Sequence, residues 1–182
     1  MPRPLAPGEN QPEHDLIMTP RSLARTIISH FAPQGNLLDP AAGEGAFELE
    51  LEQYGEVYSC ELSRGTDFFS SNPEIKFDWI ITNPPWSKMR RFLSEAFIRG
   101  NNVVYLATLT HFITRARLND IANAGFGLKE ALCVPEPSPP WPPSGFQLAA
   151  VHLQRGWTSA WTINRSLLGV TQTSSTAEEL GL

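Results

Sequence analysis

At 182 residues, with 41 % hydrophobic and 18 % charged side chains, the chain has the size and composition of one folded domain, not of a disordered or fibrous polymer. No apolar run is long enough to span a bilayer, and the opening MPRPLAPGENQPEHD lacks the apolar stretch and cleavage pattern of a secretory leader, so a cytoplasmic protein without membrane contact is expected. The formal charge of −5 is unlike that of a uniformly basic nucleic-acid binder, yet it is unevenly spread: Leu37 to Trp86 holds ten acids and two bases, Ser87 to Glu130 seven bases and three acids.

Residues 1–15 are rich in proline, glycine and polar side chains and read as a flexible leading segment. Thr19-Pro20 ahead of RSLARTIISHF marks a helix start, with an apolar face at Leu23, Ile27, Ile28 and Phe31 and a stop at Pro33 and Gly35. Asn36 to Asp39 reads as a strand running into AAGEG, and AFELELEQYG as a short helix closed by Gly55. Val57 to Leu62 and Phe77 to Thr82 read as strands, the second ending at Asn83-Pro84-Pro85-Trp86. Met89 to Arg99 has helical spacing at Phe92, Leu93, Ala96 and Phe97.

Asn102 to Leu109 is almost wholly apolar, as a central parallel strand covered on both faces should be. ITRARLNDIANAG reads as helix and LKEALCV as strand. Six of the eleven residues of PEPSPPWPPSG are proline, which excludes helix and interior strand there; FQLAAVHLQRG then returns as a strand. The alternation predicts an α/β domain over 16–163 with a mainly parallel sheet and room for an antiparallel pair at one edge. The tail, 164–182, reads as mobile. Cys60 and Cys133 lie in apolar runs and read as buried hydrophobes, with no disulfide framework and no metal site. The four histidines read as structural or solvated, although His111, after the central strand, can face a pocket.

In LLDPAAGEGAF a strand ends at Asp39, and Gly43 and Gly45 permit close backbone turns before a helix. That is the layout of a nucleotide-derivative site, although two spaced glycines also make an ordinary tight βα turn. No lysine follows, so a phosphate-gripping loop is not indicated. Asp39 suits an α-amino group, or an amino-acid backbone reached through water. Glu61, at the end of the next strand, stands where an acid can accept both ribose hydroxyls. Asp67 can accept from an adenine amino group while Phe68 lies on the ring, and Leu62 can add an apolar wall; a turn-capping aspartate is the plainer role for Asp67.

Asn83-Pro84-Pro85-Trp86 is the sharpest signal. Two prolines stiffen the loop and remove N–H donors, leaving the Asn83 side-chain oxygen and the Pro84 carbonyl as acceptors. Two fixed acceptors can hold an –NH2 group through both hydrogens and favour the positive charge that grows on nitrogen during attack. Trp86 offers a broad face for a planar base.

These residues resemble the amino-group DNA methyltransferases of the class I, S-adenosylmethionine-dependent superfamily, especially the N6-adenine type. Asp39-Pro40-Ala41-Ala42-Gly43-Glu44-Gly45 matches the cofactor loop, Glu61 the acid of the second strand, Asp67-Phe68 the third motif and Asn83 to Trp86 the catalytic tetrapeptide. Thr19-Pro20 matches a helix start packed over the methionine end. The likeness covers roughly residues 16–155. It implies a Rossmann-like class I fold, a mainly parallel seven-stranded sheet with an antiparallel edge strand and helices on both faces. S-adenosylmethionine is the implied cofactor, with Thr19, Pro20, Asp39, Pro40, Ala41, Gly43, Gly45, Glu61, Leu62, Asp67, Phe68 and Asn83 around it and direct attack by the target nitrogen, without metal.

The resemblance implies nucleic acid as partner, DNA before RNA, with Lys88, Arg90, Arg91, Arg115 and Arg117 on the backbone and Trp141 stacking or wedging. Arginines on amphipathic helices are otherwise solvated groups. The motif order is that of enzymes whose recognition domain comes last, and no such domain is expected here, so a homodimer or separate recognition partner would have to supply it. Cytosine N4, a protein glutamine amide and RNA are rival acceptors. A catalytically inactive binding subunit is the rival of another class.

Overall fold

The computed structural model describes residues 15, 17–71, 74–139, 141 and 145–169. Most of the segment expected to be flexible, up to residue 14, and the tail from residue 170 lie outside them. The elements in chain order are α1 (Arg21–Phe31), β1 (Gly35–Asp39), α2 (Ala46–Leu51), β2 (Gly55–Ser59), β3 (Phe77–Thr82), α3 (Met89–Arg99), β4 (Gly100–Thr108), α4 (Thr110–Ile113), α5 (Arg115–Asn123), β5 (Phe126–Cys133), β6 (Leu148–Arg155) and β7 (Thr162–Asn164).

The seven strands form one sheet in the order β2-β1-β3-β4-β6-β5-β7. The β2, β1, β3 and β4 neighbours pair parallel, and β6 runs antiparallel to both β4 and β5. The antiparallel member therefore sits inside the sheet and not at its edge. The edge belongs to β7, a short strand parallel to β5.

Alternation along the strands divides the core into two layers. Leu38, Ile80, Val103 and Tyr105 face one way and meet Phe92, Leu93 and Ala96 of α3. Their neighbours Leu37, Ile81, Val104 and Leu106 face the other way and meet Ala24, Ile27 and Ile28 of α1 and Phe47 and Leu51 of α2. The helical pattern after β4 breaks at Thr114, whose side chain caps α5 by accepting from the Arg117 N–H. Both cysteines are free and buried. Among the described residues no helix is long and apolar enough to cross a membrane.

Candidate active site

Parallel strands β1 and β3 end side by side, and the loops that follow them border a cavity of about 380 Å³. That volume lies within the range of about 300–1,000 Å³ usual for small-molecule sites.

One rim is the glycine loop. Gly43 has φ 54° and Gly45 φ 88°, both in the left-handed region. The left-handed φ is what favours glycine at position 43; a Cβ there would meet only the movable end of the Met18 side chain, Sδ at 2.8 Å, where the chain ahead of α1 crosses the loop. The Gly43 N–H donates to Glu61 Oε2 at 2.8 Å. Glu61 Oε1 accepts from the Ser63 N–H at 2.9 Å and the Ser63 hydroxyl at 2.7 Å. Burial alone would raise the Glu61 carboxyl; these donors and the nearby Arg64 charge outweigh it and hold the group below its ordinary range. Glu61 is therefore ionised at neutral pH, with lone pairs left for further donors.

Asp67 follows the same plan: one oxygen accepts from the Phe69 N–H at 3.1 Å and the other from the Ser70 hydroxyl at 3.0 Å. Phe68 is buried, stacked on Phe92 at 5.6 Å, with the Arg99 guanidinium 4.9 Å from its ring. Arg99 is itself buried, bound to Glu95, the Ser71 hydroxyl and the Ser71 carbonyl. It braces the Asp67-Phe68 segment from beneath.

The other rim is Asn83 to Trp86. The Trp86 indole N–H is shared between Asn83 Oδ1 at 3.1 Å and the Leu106 carbonyl at 3.2 Å. One lone pair of the Asn83 oxygen is thus engaged internally and the second is free for another donor. Trp86 is half-buried, its ring 5.5 Å from that of His111 and 6.2 Å, edge-on, from that of Trp141. Burial, aided by Arg117, lowers the His111 pKa and favours its neutral form. His111 thus lies behind Trp86 and not in the cavity wall.

Nine of the expected cofactor residues line the cavity: Thr19, Pro40, Ala41, Gly43, Glu61, Leu62, Asp67, Phe68 and Asn83. Three do not. The Pro20 carbonyl caps α1 by accepting from Leu23 and Ala24 N–H groups, and Gly45 opens α2. Asp39 is wholly buried beneath the loops, its Oδ1 accepting from the Thr82 hydroxyl at 2.7 Å and the Ala41 N–H at 3.3 Å, its Oδ2 without a partner. Burial lifts its pKa to about 7 against those two hydrogen bonds. A direct contact from Asp39 to a ligand is not offered by this arrangement; it ties the ends of β1 and β3 together instead.

All four residues of the tetrapeptide line the cavity, as do Lys88, Arg91 and Trp141. Trp141 is only 6 % exposed in the cavity wall, which suits contact with a bound ring and not insertion into a duplex. Arg91 lies 3.8 Å over the Phe69 ring at the rim. Arg90, Arg115 and Arg117 stand apart from the cavity: Arg90 pairs with Asp120 at 3.0 Å, and Arg117 is mostly buried and donates to the His111 carbonyl at 3.2 Å. Sequence reasoning missed Asp15, Met18, Phe69 and Phe92 as lining residues. Among the described residues no group of three or more His, Cys, Asp or Glu side chains is placed to hold a metal ion.

No protein-family model matches the chain, and no curated protein matches it. Solved structures do. A candidate class I S-adenosylmethionine-dependent methyltransferase from Listeria monocytogenes superposes with a TM-score of 0.60 at 14 % identity, over 92 % of this chain and 71 % of its own. The M protein of the type I restriction enzyme EcoKI gives 0.59 at 16 % identity, over 76 % of this chain and 44 % of its own. A candidate RNA methyltransferase from Pyrococcus horikoshii gives 0.56 at 17 % identity, over 77 % and 83 %. At such identities the likeness establishes the fold: this chain has the class I methyltransferase fold.

Proposed function

We propose that this chain transfers a methyl group from S-adenosylmethionine to the exocyclic N6 amino group of adenine in DNA. The observation that carries the reading is a single cavity with Gly43, Glu61 and Asp67 on one side and Asn83 to Trp86 on the other. The cavity has room for the cofactor, and Gly43 turns its wall with a left-handed backbone that favours glycine. Bound there, S-adenosylmethionine supplies an electrophilic sulfonium methyl.

The chain's own residues do the rest. Glu61 accepts the ribose hydroxyls with the lone pairs that Gly43 and Ser63 leave open. Asp67 accepts from the adenine amino group, beside Phe68 and Leu62. The Asn83 side-chain oxygen and Pro84 carbonyl accept the two hydrogens of the target amine, aim its lone pair and stabilise the charge that develops. Trp86 and Trp141 present an aromatic corner to the target ring. Burial pushes the thiols of Cys60 and Cys133 above their ordinary range, so neither is poised as a nucleophile, in keeping with direct transfer. An adenine in a duplex must leave the stack, and Lys88 and Arg91 at the rim are the cations placed to hold its phosphates.

The catalytic domain in this reading is the expected 16–163 extended by the end of β7 at Asn164 and the turn Ser166–Leu168, which fall in the stretch expected to be mobile. The test is an acceptor panel: labelled S-adenosylmethionine with DNA, total RNA or a glutamine-containing protein. Label in DNA is expected. Label only in RNA or protein moves the acceptor, and binding of nucleic acid without any transfer favours an inactive subunit.

A further inference from the structure

The catalytic loop has an anchor that comes from far upstream in the chain. Pro84 and Pro85 carry no N–H, so the first backbone donors able to fasten the loop are those of Trp86 and Ser87. The Ser87 N–H donates to Asp15 Oδ1 at 3.2 Å, and the Ser87 hydroxyl donates to Asp15 Oδ2 in a very short contact. Both oxygens of one carboxylate thus hold one residue, directly after Trp86. The opposite end of the same stretch lies on the glycine loop, where Met18 blocks the space beside Gly43. Asp15, Ile17, Met18 and Thr19 all line the cavity between these two contacts.

We infer that Asp15 is a positioning residue for the catalytic loop. It sets the orientation of Asn83 to Trp86 from outside the tetrapeptide, and it links that orientation to the wall over the glycine loop. The indole of Trp86 is held to the sheet by the Leu106 carbonyl, and the Asp15 carboxylate adds a fastening at the next residue, from a different part of the chain. The two fastenings act on adjacent residues, Trp86 and Ser87, at the end of the tetrapeptide. The inference rests on the proposed methyl transfer for its kinetic consequence, and on geometry alone for its structural one.

Two measurements keep those apart. In hydrogen exchange, Asp15→Ala should speed exchange of the Ser87 amide about tenfold or more, the scale for losing a charge-assisted hydrogen bond, while strand β4 keeps its protection. In single-turnover methylation, Asp15→Ala should lower the transfer rate about tenfold to a hundredfold and leave the KM for the methyl donor within about threefold. Ser87→Ala removes only the hydroxyl contact and should cost less, and the double variant should be no slower than Asp15→Ala alone. Unchanged exchange at Ser87 in Asp15→Ala overturns the anchoring. Additive losses in the double variant, or a loss confined to KM, overturn the positioning role. A wild-type protein that transfers no methyl group defeats the proposed function, and leaves the exchange experiment to decide the anchoring by itself.

Discussion

On the glycine-loop rim, Glu61 and Asp67 each hold backbone N–H groups within a few residues in space, and Arg64 is bound to Glu48 at 3.0 Å. On the rim that carries Asn83 to Trp86, local contacts, the Trp86 indole to Asn83 and the Lys88 N–H to the Pro85 carbonyl, are joined by long-range ones: Trp86 reaches Leu106 in β4, and Ser87 reaches Asp15 across 72 positions of sequence. On the first rim Glu61 is satisfied by its own turn and by the glycine loop, and Asp67 by its own turn. The second is tied in addition to the sheet and to Asp15. In the proposed function the first rim holds the methyl donor and the second receives the acceptor, so the two can be separated by measurement.

The floor shared by both rims should show the largest effect. Burial lifts Asp39 to about 7, above the value near 3.9 of an unfolded aspartate. The unfolded chain therefore releases this proton first, and folding stability falls as pH rises between those values, by up to about 4 kcal/mol. It is full below about pH 4 and has lost this contribution above about pH 7. Urea unfolding from pH 4.5 to 8 should show that slope in the wild type and a flatter one in Asp39→Asn. Equal slopes would mean that Asp39 is ionised without cost and that the two rims share no such floor.

Next in size is the catalytic rim itself. Asn83→Ala should slow transfer about a hundredfold to a thousandfold, the scale for removing one preorganised polar contact to a developing charge. Cofactor affinity should hardly change, since this contact is made to the reacting nitrogen. On the other rim the order reverses: Glu61→Ala should weaken S-adenosylmethionine binding by roughly 1–3 kcal/mol, measured by calorimetry, with NAD failing to bind either protein. A variant that changed the wrong quantity on either side would dissolve the division between the rims.

The smallest effect separates two adjacent arginines. Arg91 borders the cavity, whereas Arg90 is engaged with Asp120. Arg91→Glu should lower the salt slope of DNA binding by about one and Arg90→Glu should leave it nearly unchanged. Equal slopes would place the nucleic acid elsewhere.

The elements that flank Asn83 to Trp86 are the easier ones to read in sequence. Strand β3 and helix α3 fall where the pattern of FDWIIT and the spacing of Phe92, Leu93, Ala96 and Phe97 put them, because both periodicities are local. Strand order is not local, so the interior position of β6 was not legible. Strand β7 spans Thr162–Asn164 and buries little, too short to print a period. In the site, Gly43 and Asn83 announced themselves through turn chemistry and proline stiffness. Asp15 did not, since a carboxylate in a polar stretch has the same sequence signature whether it is solvated or bound. Arg90, Arg91 and Arg117 looked alike for the same reason, and only packing separates the paired, the rim and the buried one.

The most direct test of the account is the identity of the methylated atom. Purified protein is incubated with labelled S-adenosylmethionine and unmodified genomic DNA, and the DNA is digested to nucleosides and separated. The paired acceptors at Asn83 and Pro84 predict label on an exocyclic amine; the proposed adenine acceptor predicts N6-methyl-deoxyadenosine, and label on cytosine N4 would correct the base while keeping the chemistry. Label on a ring carbon, or DNA left unlabelled while a protein amide takes the methyl group, would contradict it.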